Sequence, residues 1–469
     1  MEPNKKHVII VGAGLGGCFL ANSLAENFDV TIVELGSAKP LLQDRVKDIA
    51  NPAVTYPHIC SGLGGTTNLW HNGLIEIDRE VFENRWPYPK TELRAYYEKA
   101  FYALAGQSRD VIGRSAKALF DKYQGIGFLK NMFGEFLYYP KKRVNPWGTF
   151  KLEKRVNLVD GEVVDFEIDS KGNIRSVVVK ENNKGMDIIV SGDIFVLAAG
   201  GLSTPLLLHK LASKPNGCAH ENIGFNYEDH PSAVFGEIVL SVPLYKLWNY
   251  PCFGGSLRLP LVVQQDGLQV SFQLRPSAQF LNRNGRSHVK SVLSDLRNNL
   301  LSLKLYWRLL TNYDDIFEII SMKIGLNFPT RYYHLLMVAE QGPSMSCAVW
   351  SDTDSSTFYR KWLIDDKHIT TYEAAFRKLV SQLSDKVTTA RTFSDWQENV
   401  FSSSHHSGTA RMALTPKDGV CDKNALVFGF NNLFISDGSA IPATGTANTG
   451  LTIAALAIKL GDHIREKFL

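Results

Sequence analysis

The chain has 469 residues, 44% of them hydrophobic and 21% charged, with a formal net charge of +4. That length supplies two or three domain-sized units and a sizeable core, and the near-even charge balance argues against nucleic acid as a partner. The six cysteines form no CxxC pair and no cluster with ligand spacing, so they read as reduced, buried thiols and no metal is expected. No apolar run is long enough to span a bilayer, and the first residues lead into a strand rather than a secretory leader. The cytoplasm is therefore the expected compartment.

His7–Val11 is a short apolar run suited to a buried parallel strand. Gly12, Gly14 and Gly17 follow in GxGxxG spacing, with Ala13, Leu15 and Gly16 between them. The first glycine permits a tight turn, the second lets the backbone approach a pyrophosphate, and the third lets the next helix sit close to the strand. Residues 18–27 have helical character, and Asp29–Val33 reads as a second strand that delivers Glu34. A carboxylate there can accept hydrogen bonds from both ribose hydroxyls. Strand, glycines, helix, strand and acid in this order predict a dinucleotide site for FAD or NAD rather than NADP. The loop alone does not separate those two.

A second glycine-rich turn, GLGGTTNLWHNG, spans Gly62–Gly73. Its small residues let a flat ring system lie against backbone, and Gly65, Thr66, Thr67 and Asn68 offer polar contacts. Residues 79–150 mix helix and loop. Arg155–Leu208 reads as a β-meander, with a tight turn at DSKGN, returning to a buried strand in IFVLAAG. A helix then starts at STP, with Ser203 or Thr204 as its cap and Pro205 in the first turn. Farther on, GEIVLSV, LQVSFQL and LLMVAE predict an antiparallel sheet. Trp248, Tyr250, Phe253, Trp307, Trp350 and Trp362 recur through this stretch, some placed to stack on a sugar ring and most to fill core. In Ser291–Asn312, Leu293, Leu296, Leu300, Leu303, Trp307 and Leu310 fall three and four residues apart. That amphipathic helix reads either as a lid packed on the sheet or as a basic helix that lies on a membrane surface or holds a lipid-linked or anionic substrate.

The run SSSHHSGTARM, Ser402–Met412, carries two adjacent histidines. A shared metal ion would need further ligands, and neighbours on an extended segment point opposite ways. A proton carrier fits better, because an imidazole with a pKa near 6.5 accepts a proton close to neutrality.

Four ordered stretches resemble the glucose–methanol–choline (GMC) oxidoreductase family: GGTTNLW, AAGGLSTPLLL, IGFNYEDHP and the closing run VFGFNNLFISDGSAIPATGTANTGLTIAALAIKLGDHI. The wording is most similar to the pyranose-oxidising branch, over residues 1–75, 155–231 and 400–469. The resemblance implies an α/β fold: an FAD-binding Rossmann-type domain with a β-meander, discontinuous over 1–90, 151–231 and 400–469. A substrate-binding or lid domain with an antiparallel sheet and helices would take 91–150 and 232–399. It implies FAD, with the glycine loop at the pyrophosphate, Glu34 at the adenosine ribose and Val163 near the adenine. Asp437 would lie near the pyrophosphate or ribityl chain. Some members tether FAD through a histidine where this chain has Leu69, so non-covalent FAD is expected. His71, two places away, is either a substrate or flavin contact or a structural histidine. The family's H-x-x-G-T motif falls on His405, Gly408 and Thr409, making His405 the general base and turning His406 away toward packing or backbone. Asn448 matches the residue that orients the substrate hydroxyl, followed by Thr449 where many relatives have proline. The helix after it would point its N-terminus at the flavin, favouring negative charge on the reduced ring. The implied reaction is oxidation of a CH–OH group on a sugar, glycoside or sugar-like alcohol, with oxygen, quinone or another acceptor left open. Two alternatives stand beside it: a membrane-peripheral enzyme acting on a lipid-linked sugar or fatty alcohol, and a non-catalytic flavin-binding subunit.

Overall fold

The structure is a computed structural model. It describes residues 5–36, 41–43, 46–50, 59–124, 135–142, 156–182, 187–217, 220–276, 299, 302–311, 331–351 and 357–469. It is a mixed α/β fold built on two large sheets.

The first sheet has seven strands, in the order Leu433–Ile435, Ile194–Leu197, His7–Val11, Asp29–Glu34, Val156–Ile168, Ile174–Glu181 and Asp187–Ser191. The first five run parallel, in registers such as Val8 with Ile194 and Ile9 with Thr31. Val8, Ile9, Ile10 and Val11 are all buried, as a strand covered on both faces requires. The strand Val156–Ile168 does two jobs. Its first half pairs parallel with Asp29–Glu34, and its second half turns antiparallel against Ile174–Glu181 to begin the meander. Asp169 makes the meander's turn, its Oδ1 accepting from the N–H groups of Lys171 and Asn173 at 2.8 and 2.9 Å.

The helix Leu15–Leu24 packs on the C-terminal helix Thr449–Phe468, which covers the same end of the sheet. The helix Thr204–Ala212 carries Pro205 in its first turn, but Ser203 makes no side-chain cap. Instead the Thr204 hydroxyl donates to Asp437 at 2.5 Å. A partner far along the chain has taken the group that local pattern assigned to the helix end.

The second sheet is antiparallel, ordered Leu261–Gln265, Leu268–Pro276, Tyr332–Ala339, Pro231–Leu240 and Val387–Thr392, with Phe401–Ser402 alongside Pro231 and Ser232. One face holds Ala233, Phe235, Val270, Phe272, Leu335 and Met337, all buried. It packs on Phe376 of the helix Asp366–Gln382 and on Trp396, with Phe235 ring centroids 5.5 and 4.5 Å from theirs. Alternation sends Ser232, Gln269, Ser271 and Gln273 to the opposite face, where they too are buried. Buried polar side chains need partners. Ser232 finds Ser403 at 2.6 Å and Gln273 finds Arg258 at 3.2 Å, so this polar face looks onto the C-terminal segment. Of the amphipathic stretch Ser291–Asn312, Leu303–Thr311 is helical. Its first part, with Leu293, Leu296 and Leu300, lies outside the described residues.

Candidate nucleotide and proton-transfer site

The glycine loop has the shape its spacing predicts. Gly12 sits at φ +112°, and a Cβ there would lie 2.3 Å from the Ala198 carbonyl oxygen. A Cβ on Gly17 would lie 2.0 Å from the Gly12 carbonyl oxygen, so the helix can approach the strand only as glycine. By contrast, a Cβ on Gly14 would meet only Ala198 O, at 3.9 Å, which leaves open space over the helix N-terminus. Glu34 is buried at the end of its strand and accepts from the N–H of Ala13 at 2.6 Å and of Gly62 at 2.8 Å. Burial pushes its carboxyl up to about 7 against those two hydrogen bonds. It therefore ties the two glycine-rich turns together and keeps further lone pairs for a ligand hydroxyl.

Within the second turn, Gly65–Asn68 form a single 3₁₀ turn: Thr67 donates to Gly64 O at 2.5 Å and Asn68 to Gly65 O at 2.9 Å. Thr66 is exposed. Val163 is buried in the meander, opposite Val179. Asp437 is more committed than its place beside a cofactor suggested. Its Oδ1 accepts from the Ser439 N–H and hydroxyl at 2.8 and 2.6 Å, its Oδ2 from Gly200 N–H and Thr204 hydroxyl at 2.8 and 2.5 Å. All of the carboxylate's acceptor positions are filled by protein, and burial raises its pKa despite them.

Four elements converge on His405. Its backbone N–H donates to Asp229 Oδ1 at 3.0 Å, and its Nδ1 lies 3.0 Å from Nδ1 of His230. The other nitrogen of His230, Nε2, lies 2.9 Å from the Thr444 hydroxyl. His405 Nε2 has no hydrogen-bond partner among the described residues. Burial lowers the pKa of His405, and the charge of His71 adds to that while Asp229 opposes it. Burial, with the charge of His405, holds His230 down at about 3, against Asp229 and the Gly445 backbone. Asp229 stays ionised, at about 2, because the charges of His406 and Arg360 outweigh its burial.

His406 does face away from His405. It packs against Gly201 and Gly438, but its Nδ1 meets the Tyr227 hydroxyl at 2.7 Å rather than backbone. Tyr227 also receives Arg360 Nη1 at 3.2 Å, and Arg360 Nε donates to Asp48 at 2.5 Å.

Asn448 is the N-cap residue of the C-terminal helix, yet its side chain makes no cap. The amide lies instead beside Gly73, where a Cβ would sit 3.3 Å from Asn448 Nδ2 and 3.1 Å from Tyr139 Cε1. Trp70 lies against Gly450 in the first turn of the same helix, after the buried Thr449. The loop Trp70–Gly73 thus touches Asn448 on one side and, through His71, acts on His405 on the other. Thr444 and Tyr139 were not singled out in the sequence, and Asp229 and His230 were read there only as motif positions without a role. The run EDHP contains the latter two, and only the fold shows what they face. No group of histidine, cysteine and acidic side chains suited to a metal occurs among the described residues.

The open glycine loop and the histidine pair beneath the polar face of the antiparallel sheet are features a dinucleotide-dependent enzyme would use. Residues 352–457 match the GMC oxidoreductase family. Over 64 residues the chain is 41% identical to 2-methyl-1,2-propanediol dehydrogenase of Mycolicibacterium austroafricanum, covering 14% of this chain and 12% of that one. Over 60 residues it is 38% identical to the fructose dehydrogenase large subunit of Gluconobacter japonicus, 13% and 11% of the two chains. These matches span only about an eighth of the curated relatives' length. The fold is similar to pyridoxine 4-oxidase from Mesorbium loti, with a TM-score of 0.60 at 15% identity over 98% of this chain and 99% of that one. It is also similar to a variant of Aspergillus oryzae RIB40 formate oxidase described for its FAD modification, at TM-score 0.59, 15% identity and 99% of both chains. FAD is the cofactor this family implies. The open face of Gly14, the helix N-terminus behind it and the Glu34 carboxylate fit a dinucleotide there.

Proposed function

We propose that the protein is an FAD-dependent oxidoreductase that converts a CH–OH group to a carbonyl, with His405 as general base and Asn448 orienting the hydroxyl. When bound, FAD supplies the acceptor for the hydride that leaves the alcohol carbon. The carrying observation is the buried file His405–His230–Thr444. His230 is neutral and so has one N–H to place. With that proton on Nε2, donated to Thr444, its Nδ1 accepts from His405 Nδ1–H. His405 Nε2 is then a bare acceptor, able to take the hydroxyl proton of the substrate. Asp229, held ionised under the same loop, favours the imidazolium that results. Asn448, free of capping duty, can donate to or accept from the substrate hydroxyl without taking its proton.

A sugar, glycoside or sugar-like alcohol is the substrate class this reading favours. The relative named for fructose supports it, as does the polar roof of Ser232, Ser271 and Gln273. Glu34 would hold the ribose of a non-covalent FAD, Leu69 offering no atom for a tether. Anaerobic titration of the FAD-loaded protein with sugars, polyols and simple alcohols tests the proposal. Bleaching of the flavin by any of them supports it. A flavin that none of them reduces overturns it in favour of a non-catalytic flavin-binding subunit.

A second reading concerns location. The helix Leu303–Thr311 exposes Leu303, Tyr306, Trp307 and Leu310, with Trp307 68% accessible, beside the exposed Lys304. An aromatic and aliphatic face with a cation next to it suits the surface of an anionic membrane. No helix among the described residues is long and apolar enough to cross one. Flotation with anionic vesicles, lost in Trp307→Ser, would support membrane contact. Absence of flotation in the unaltered protein leaves this face to solvent or protein.

A further inference from the structure

We infer that Arg258 recognises an anionic group, a carboxylate or phosphate, carried by the alcohol that His405 and Asn448 handle; this rests on the function proposed above. Arg258 ends the strand Gly255–Arg258, which pairs antiparallel with Leu137–Pro140. Arg258 stands opposite Leu137 and Ser256 opposite Tyr139, so these four side chains share one face. That face abuts Gly73, where a Cβ would lie 3.1 Å from both Leu137 Cδ1 and Tyr139 Cε1 and 3.3 Å from Asn448 Nδ2. The face carrying Arg258 is therefore the one that borders Asn448.

Among the described residues, the groups that hold the guanidinium are neutral. Its carbon lies 3.8 Å from the Trp248 ring centroid and 4.5 Å from that of Tyr139. Nη1 donates to Gln273 Oε1 at 3.2 Å and to the Tyr139 hydroxyl at 3.4 Å, which uses both of its hydrogens. Among the described residues, Nε and Nη2 have no acceptor and no carboxylate pairs with Arg258. The fully buried Arg360 and the partly buried Arg85, Arg109 and Arg465 each pair with a carboxylate. An uncompensated cation between two rings is costly to keep. The edge left free, Nε with Nη2, is the one that takes a carboxylate or phosphate through two parallel hydrogen bonds. Trp248 and Tyr139 preorganise that edge, and Gln273 anchors it to the roof over the site.

Calorimetric binding of benzoate and of inorganic phosphate to the FAD-loaded protein tests this without any turnover. At least one should bind, the two arms telling carboxylate from phosphate. Arg258→Gln should weaken that binding at least about tenfold, with Arg258→Lys between. Failure of both anions to bind the unaltered protein, or equal affinity in the glutamine variant, overturns the inference. A parallel comparison of flavin reduction by D-glucose, D-glucuronate and D-glucose 6-phosphate reads the site during catalysis. Arg258→Gln should lower the charged-over-neutral ratio of kcat/KM at least about tenfold. A variant slowed equally on all three gives Arg258 a purely structural place and overturns the inference. Arg258-dependent anion binding in a protein whose flavin no alcohol reduces would keep the anion site while the oxidation fails.

Discussion

Replacing His230 with leucine tests the proton geometry most directly. In the native arrangement His405 Nδ1–H finds its acceptor 3.0 Å away on His230. Leucine fills the volume and removes the acceptor, leaving a buried donor with no partner. Such a group costs about 1–3 kcal/mol. At about 1.4 kcal/mol per decade that is a loss of roughly 5- to 150-fold in the reduction rate, if the cost falls on the productive tautomer. The neutral imidazole then escapes the cost by moving its proton to Nε2, the atom that must accept from substrate. His230→Gln, whose carbonyl oxygen can accept from Nδ1–H, should recover part of the loss. Stopped-flow reduction of the bound flavin under anaerobic conditions measures the rate, and the oxidised spectrum reports that flavin is retained. In the double variant with His405→Ala, the His230 loss should vanish, because there is no tautomer left to hold. A leucine variant as fast as the unaltered protein at every pH would refute the reasoning, as would losses that simply multiply in the double variant.

His405→Ala should keep its flavin and lose at least about a hundredfold in reduction rate, the usual contribution of a positioned base; a loss under tenfold in the same assay assigns the proton elsewhere. The base works unprotonated, so kcat/KM should fall as pH drops through the pKa of His405, which burial and His71 hold below 6.5. Removing the neighbouring charge in His71→Ala should raise that pKa and move the acid limb of the pH profile upward; a limb that stays put removes His71 from the site. Gly17→Ala places a Cβ about 2.0 Å from the Gly12 carbonyl oxygen and should give protein that is colourless or strongly depleted in FAD, read from the absorbance ratio of flavin to protein.

The glycine loop was legible because its information is local. Strand, turn, helix and acid lie within thirty consecutive residues, and each residue type answers to the conformation of its own backbone. Alternating apolar residues likewise announced the antiparallel roof. His405 was legible through a short motif. What surrounds it was not, since His230 lies 175 residues away in sequence and meets it through the pairing of Pro231–Ser232 with Phe401–Ser402 and the bridge of Glu228 with Ser407. Asp437 shows the same limit from the other side. An acid at the end of an apolar strand beside a glycine turn reads as a ligand group, and only the fold reveals four protein donors already upon it. Arg258 was invisible for a further reason: its meaning comes from having no carboxylate partner among the described residues, and a sequence does not display which side chains fail to meet.

The nucleotide sheet places Leu433–Ile435 two strands from His7–Val11, and the helix from Thr449 onward lies on the glycine helix near the start. During synthesis the early βαβ unit must therefore wait for more than 420 residues before its edge strand and covering helix exist. At about 5–20 residues per second that interval is roughly 20–85 s, with an apolar surface exposed throughout. Such a protein is a natural client for chaperones on the ribosome, and a chain cut short near its end would leave its opening strands without their cover.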